Sequence, residues 1–271
     1  MNKFINKVII SDDKVIKKRN DRLKELYDYL DDRGFDNYPK IINVNDDNFE
    51  TEYIKEKKVY ELYTGEELMK TLSSLHNKTI EYKDVSKNKY RDIYDMISSN
   101  IEFLKKYYND YLSGIEEEIY MSPSHYLFAR NYSIINSALK YSYNTLKKWF
   151  KIVSNKSKER VCIVHNNVSL SHHLTGDKNY LISFDNYLVD TPILDLYKFY
   201  KREGYRLNFI KLIEIYEQNN KLEDDEKLLL NILISIPPKI EEINDEFLNC
   251  KNIKDTYNYM YSTLNIINKN K

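Results

Sequence analysis

One segment of this chain breaks the helical period that governs most of its sequence, and it does so twice within forty residues. VCIVHNNVSLSHHL (Val161–Leu174) carries four mostly apolar residues into His165. A polar turn with two asparagines, serines and a histidine pair follows. A second apolar run comes in YLISFDNYLVDTPILDLYKFY (Tyr180–Tyr200). Two β-prone runs about a polar loop, with helical patterns on either side, have the outline of an active-site hairpin.

The flanking sequence says what that hairpin is set into. The first 60 residues read as mixed strand and helix. KVIISDDKVIKKR is two β-prone runs around Ser11-Asp12-Asp13, which predicts a hairpin. NDRLKELYDYLDDRG places Leu23, Leu26, Tyr27 and Leu30 at helical spacing and ends at Gly34. YPKIINVNDDNFETEYI predicts a second strand pair about Asn45 to Asn48. From Thr64 the pattern turns helical, and Thr64 with Glu67 has the spacing of a capping box. A long amphipathic stretch from about Ser86 to Leu112 puts Tyr90, Ile93, Tyr94, Ile97, Ile101 and Leu104 on one face. Ser122-Pro123 predicts the N-cap and first residue of a helix running to about Val153. Helices resume after Pro192, with Pro237-Pro238 as a break. The expected architecture is α+β: a small β-rich N-lobe (1–58) and a large helical C-lobe (59–271) holding the hairpin (161–200), with the boundary near residues 57 to 63.

Composition excludes several classes. The 271 residues suffice for one large domain or two lobes with a real core. Lys plus Arg equals Asp plus Glu at 42 each, so no basic excess marks a nucleic-acid surface. No apolar run is long enough to cross a bilayer, and MNKFINKVIISDDK has only Val8, Ile9 and Ile10 where a leader needs a longer apolar core. Cys162 and Cys250, without CxxC spacing, indicate neither a metal site nor a disulfide framework. A soluble cytoplasmic protein, binding neither nucleic acid nor membrane, is the expectation. The 26 tyrosines read as amphipathic core-edge residues rather than as a stacking platform for bases.

A small β lobe ahead of a helical lobe with one β-hairpin is the architecture kinases use, and here the residues become specific. The hairpin and the segment after it resemble the aminoglycoside phosphotransferase and choline kinase superfamily, most of all its spore-coat CotS-like group. That group has a loop HGDxxxxN, a strand ending IDFD and then DTPxxDLxxF. Asp190-Thr191-Pro192, Asp195-Leu196 and Phe199 reproduce the last segment in full. TGEELMKTLSSLHNKT is similar to the family's early C-lobe helix, which ends in a Leu-His pair, here Leu75-His76. The resemblance implies a two-lobed protein-kinase-like fold, ATP and magnesium as cofactors, and phosphoryl transfer to a small molecule.

Carried over residue by residue, it also implies that the chemistry is altered. His165 matches the family histidine, but Asn166 stands for the glycine and Asn167 for the catalytic aspartate. His172 stands where a metal-binding asparagine belongs, and Ser183 where a metal-binding aspartate belongs. Asp185 matches the second acidic residue and is the candidate substitute ligand. An amide nitrogen takes no proton at neutral pH, and magnesium prefers hard anionic oxygen, so His172 and Ser183 are poor replacements. In a strand Ser183 and Asp185 would face the same side, roughly 7 Å apart. At the nucleotide end, no glycine precedes Gly34 to bring backbone N–H groups to a phosphate. Lys17 fits the strand lysine that pairs with phosphates, Lys18 fits nearly as well, and Glu25 is a conceivable partner or a surface carboxylate.

Structural roles compete for the same residues. His165 reads as a buried histidine holding the loop by hydrogen bonds. His172-His173 without a third ligand reads as a polar turn, and Cys162 as an inert core thiol. Asp195 reads as architectural, capping its helix and tying down the loop. Three functions stay open. A pseudokinase, binding a ligand or protein partner with little or no phosphotransfer, leads. An active small-molecule phosphotransferase with rearranged metal ligands, and a structural spore-coat-type protein, are the others.

Overall fold

The computed structural model describes residues 3–5, 8–11, 13–57 and 61–269. Asp12 of the expected hairpin turn, residues 58–60 at the expected lobe boundary, and Met1, Asn2, Asn6 and Lys7 lie outside the described residues. In chain order the elements are β1 (Lys3–Ile5), β2 (Val8–Ser11), β3 (Lys14–Lys18), α1 (Asp21–Asp32), β4 (Ile41–Val44) and β5 (Asn48–Glu52). Then come α2 (Glu61–Lys78), β6 (Glu81–Asp84), α3 (Lys89–Glu116) and α4 (Pro123–Val153). The hairpin region supplies β7 (Lys158–Val164), β8 (His173–Thr175), β9 (Asn179–Leu181) and β10 (Leu188–Asp190). Four helices close the chain: α5 (Ile193–Arg202), α6 (Phe209–Glu217), α7 (Asp224–Ser235) and α8 (Glu246–Lys269). Among the described residues no helix is long and apolar enough to cross a membrane.

The residues form two compact units. The first gathers the described residues of 1–82 with 160–202 and 210–221. Its main sheet has the order β1-β2-β3-β5-β4, antiparallel at every pairing, with Val15 opposite Thr51 and Lys17 opposite Phe49. The two strand pairs expected from sequence are both present. α1 buries Leu23, Leu26, Tyr27 and Leu30, the four residues its spacing picks out. It stops where Gly34 adopts φ +71°, a left-handed conformation that costs a glycine little. Phe35 N then donates to Leu30 O at 2.8 Å and Gly34 N to Asp31 O at 2.9 Å, which satisfies the last carbonyls in a Schellman turn. Phe35 and Leu30 are both fully buried, so the turn is closed by apolar contact as well.

Two expectations for this unit fail. α2 begins at Glu61, so Thr64 lies inside the helix and does not cap it. Glu67 is spent elsewhere, accepting from Lys70 Nζ at 2.6 Å and from Asn179 Nδ2 at 2.7 Å. Secondly, ISFD is no strand. Ser183 takes φ +68° and ψ 47°, and residues 184–186 make a 3₁₀ turn. The chain turns back there because β10 must run antiparallel to β7, with Leu188 opposite Val164 and Asp190 opposite Cys162.

The second unit gathers 83–159, 203–209 and the described residues from 222 onward. α3, α4, α7 and α8 pack as a helical cluster around Ile97, Ile101, Leu104, Tyr108, Phe128, Leu146 and Trp149. Ile97, Ile101 and Leu104 are the centre of the stripe expected for α3, and Tyr90, Ile93 and Tyr94 flank it partly buried. Each fully buried large apolar side chain here stabilises the cluster by roughly 1.5–3 kcal/mol. α4 starts as its sequence dictates, with Pro123 first and the Ser122 side chain accepting from His125 N at 3.2 Å. Ser122→Ala removes that acceptor and is expected to lower stability by about 1 kcal/mol. Urea unfolding checks this, and an unchanged midpoint would show that the cap is idle.

Candidate functional site

β7 delivers a buried apolar strand, Val161 to Val164, directly into His165. From that point the loop is held by one carboxyl group. Asp195, in the first turn of α5 and fully buried, accepts from His165 N and Asn166 N at 2.6 Å each, one on each oxygen. A third donor is His76 Nε2 on α2, 3.1 Å from the same carboxyl group. With that nitrogen donating, His76 Nδ1 accepts from Tyr216 Oη at 2.7 Å, and Tyr216 Oη accepts from Asn220 Nδ2 at 2.6 Å. The Asp195 side chain reaches the loop and α2 rather than its own helix. His76 is the link between Asp195 and Tyr216, a role its sequence position only hinted at.

The His165 ring is buried and neutral. Its Nε2 donates to Ile182 O at 2.7 Å, and its Nδ1 accepts from Asn167 N at 3.3 Å. Burial pushes its pKa down, against the opposing pull of Asp195 and the Ile182 carbonyl. Asn166 follows with φ +64°, a left-handed conformation that asparagine tolerates better than most residues. Its Nδ2 donates to Asn186 O at 2.7 Å, and its Oδ1 accepts from Lys198 Nζ. Asn167 is held at both oxygens: Oδ1 accepts from Arg202 Nη1 at 3.3 Å, and the main-chain O accepts from His172 Nδ1 at 2.7 Å. Lys198 and Arg202, one turn apart on α5, are site residues that sequence reasoning missed. They stand 32 and 35 positions away from their partners, and only the α5 docking brings them there.

Asn167, Ser183, Asp185, Lys17 and Lys18 line one cavity of about 870 Å³. Its apolar walls come from Val8 and Val15 on the main sheet, from Tyr53 and Ile54, and from Leu174 and Ile182 of the hairpin region. The hairpin is stitched beside the sheet by Leu181 N donating to Asn37 O at 2.8 Å and Asn37 Nδ2 donating to Asn179 O at 2.7 Å. Arg19, also on the wall, is paired with Asp21 at 2.7 Å, whereas Lys17 makes no ion pair with the described residues. Asp185 adds to the burial that raises the Tyr27 phenol far above its usual range. His165, His172 and Asp195 do not line the cavity. Glu25 is exposed and lines a separate cavity of about 220 Å³ with Thr79 and Ile163, so it is not the partner of Lys17. Cys162 is a buried thiol 3.7 Å from Asp190 O.

Donor chemistry tests what this cavity can hold. Apolar lining with Lys17, a lysine of β3 that forms no ion pair with the described residues, fits an aromatic base carrying a phosphate. Magnesium does not fit. An amide, an imidazole turned to a carbonyl, a hydroxyl and one carboxylate are not the set of hard anionic oxygens it needs. Among the described residues there is no group of three or more His, Cys, Asp or Glu arranged to hold a metal ion.

The chain matches no protein-family model and no curated protein sequence. Its likeness is to solved structures. An aminoglycoside phosphotransferase from Alicyclobacillus acidocaldarius subsp. acidocaldarius DSM 446 superposes with a TM-score of 0.74 at 10% identity, covering 100% of this chain and 92% of that one. Spectinomycin phosphotransferase APH(9)-Ia, in its AMP-bound complex, superposes with a TM-score of 0.55 at 16% identity, covering 97% of this chain and 92% of that one. The chain has the two-lobed, protein-kinase-like α+β fold of aminoglycoside phosphotransferases.

Two expectations follow for stability. Asp195→Ala leaves two backbone N–H groups and a ring nitrogen without their acceptor in a buried site, and should cost about 3 kcal/mol or more. Asn167→Ala, at the cavity wall, should cost under about 1 kcal/mol. Urea midpoints that rank the two in the opposite order would sink this assignment of roles. The pH profile gives the second expectation. Burial lowers the pKa of His173 to about 4, and that of His165 also lies below its ordinary value. Above the unfolded value near 6.5 both states carry neutral rings and nothing is lost. Below it the unfolded chain takes up protons that the folded chain refuses, so stability falls toward pH 4 by up to about 1.4 kcal/mol per pH unit for each ring. At His125 burial is outweighed by the pull of Glu118 and Glu242, which raises the pKa, so its contribution grows as pH falls toward the unfolded value near 6.5 and is fully present only below it. A urea midpoint that stays level between about pH 6 and about pH 5 would refute neutral burial of both rings.

Proposed function

We propose that this protein is a pseudokinase: a kinase-fold scaffold that binds a nucleotide-like ligand in its cleft and transfers phosphate poorly or not at all. The observation that carries the reading is Asn167. It stands where the resembling family has its catalytic aspartate, both its oxygens accept N–H donors of the surrounding structure, and it has no carboxylate to take a proton from an acceptor hydroxyl. The cavity argues for a ligand all the same, because its apolar walls and Lys17 remain open to one. The spore-coat CotS-like grouping rests on the Val161–Arg202 segment, above all Asp190–Phe199, and supplies no ligand. A second reading has one observation in its favour: Asp185 lines the same cavity as Asn167 and Ser183, so a single carboxylate is present for a metal-assisted transfer.

The test is thermal melting with ATP, in EDTA and with magnesium, beside an assay of ATP turnover. Ligand that binds only the folded state raises its stability by RT ln(1 + [L]/Kd), about 2.7 kcal/mol at a hundredfold excess over Kd. The expected result is a melting shift of the same size with and without magnesium, diminished in Lys17→Met, and no turnover above background with aminoglycosides, choline or sugars. Magnesium-dependent turnover that disappears in Asp185→Ala would transfer the assignment to an active phosphotransferase. No shift under either condition would remove the nucleotide from the proposal.

A further inference from the structure

At one end of the helical unit the chain exposes apolar side chains that its core does not use. Ile119 and Tyr120, between α3 and α4, are 90% and 91% exposed, and Phe247 at the start of α8 is 77% exposed. Tyr126 and Ile243 are exposed as well. Single exposed apolar residues are ordinary, but these belong to one surface. Ser124 N and Oγ donate to the two carboxylate oxygens of Glu246 at 2.6 and 2.9 Å. His125 places Nδ1 2.8 Å from Glu118 and Nε2 3.3 Å from Glu242. The turn before α8 is fixed too: Asn249 accepts from Ile243 N at 2.9 Å and donates to Ile243 O at 2.8 Å. The patch is therefore held in shape before anything binds it.

Its rim is acidic. Residues 116–126 and 239–248 contain seven carboxylates, among them Glu117, Glu241 and Asp245, against one lysine, Lys239, which Glu241 holds at 3.1 Å. The next cations, Arg130 on α4 and Lys251 on α8, stand a turn beyond Tyr126 and Phe247. This ring of charge selects the occupant. A second copy docking the same face would set carboxylates against carboxylates, and an anionic bilayer would be repelled. An apolar segment flanked by lysine or arginine meets complementary charge at the rim and apolar anchors at the centre.

We propose that this surface docks a basic, amphipathic segment of a partner protein, with Tyr120 and Phe247 as its anchors. The proposal stands whether or not the cleft binds a nucleotide. The probe is a fluorescently labelled helical peptide with leucines at helical spacing and lysines elsewhere, compared by anisotropy with the same peptide carrying glutamates for lysines. The lysine peptide should bind and the glutamate peptide should not. Tyr120→Ser and Phe247→Ser should each weaken binding at least tenfold, and Glu117→Lys with Glu241→Lys should weaken it and flatten its salt dependence. Tyr82→Ser, at an exposed aromatic of the other unit, should leave it unchanged, and circular dichroism confirms that each variant folds. The proposal falls if the lysine peptide does not bind, or if the two anchor variants bind it as wild type does. Self-association, or adsorption to phosphatidylserine vesicles, that is lost in Phe247→Ser would also overturn it by naming a different occupant.

Discussion

A single buried carboxyl group organises the candidate site. Asp195 gathers the N–H groups of two consecutive loop residues and the ring of His76, and each of these would be a costly orphan without it. Two adjacent N–H groups pointing at one acceptor leave the backbone few paths, and Asn166 takes the left-handed one. His76 then carries the constraint through Tyr216 to Asn220, so α2, the loop, α5 and the end of α6 are fixed together. None of these contacts requires a group to coordinate a metal or react with a substrate. The loop geometry characteristic of the fold can therefore persist whatever chemistry its exposed side chains support.

The polar atoms of the loop are committed in a consistent way. A catalytic loop leaves oxygen atoms uncommitted so that a cation or a hydroxyl can use them. Here the oxygens of Asn166 and Asn167 accept from Lys198, Arg202 and His172, donors that belong to the chain itself. Hydrogen bonds from charged donors are the stronger ones, worth about 1.5–3 kcal/mol where they are shielded and less at an exposed site such as this. A metal arriving here would compete with donors already in place, for acceptors weaker than carboxylate.

Much of this architecture was legible because its signals are local. Ser122-Pro123 starts α4 and Gly34 stops α1, since a hydroxyl acceptor, a fixed φ and a missing Cβ act within a few residues of where they stand. Asp190 to Phe199 was legible as a motif, and the loop-tying part of Asp195 with it. Thr64 and Glu67 misled because capping-box spacing also occurs inside helices. Their helix begins a turn earlier, and Glu67 serves Lys70 and Asn179. Ser183 was unreadable for a different reason: serine carries no preference for positive φ, and the return of β10 along β7 imposes it. Lys198 and Arg202 look in sequence like two solvated cations on a helix face, and their contacts with Asn166 and Asn167 arise from tertiary docking.

Burial separates the residues of the site into two sets. His76, His165 and Asp195 are fully buried, with Asp195 bonded to the His76 ring and the His165 main chain and the His165 ring bonded to Ile182 O, so replacing any of them would cost several times the free energy of an ordinary surface change. Asn167, Ser183 and Asp185 border the cavity, where solvent can satisfy a new polar group and a substitution costs little stability. A chain released from the need to transfer phosphate could accept changes at the second set while folding still held the first. The presence of the first set is thus accounted for by folding, and by itself says nothing of catalysis.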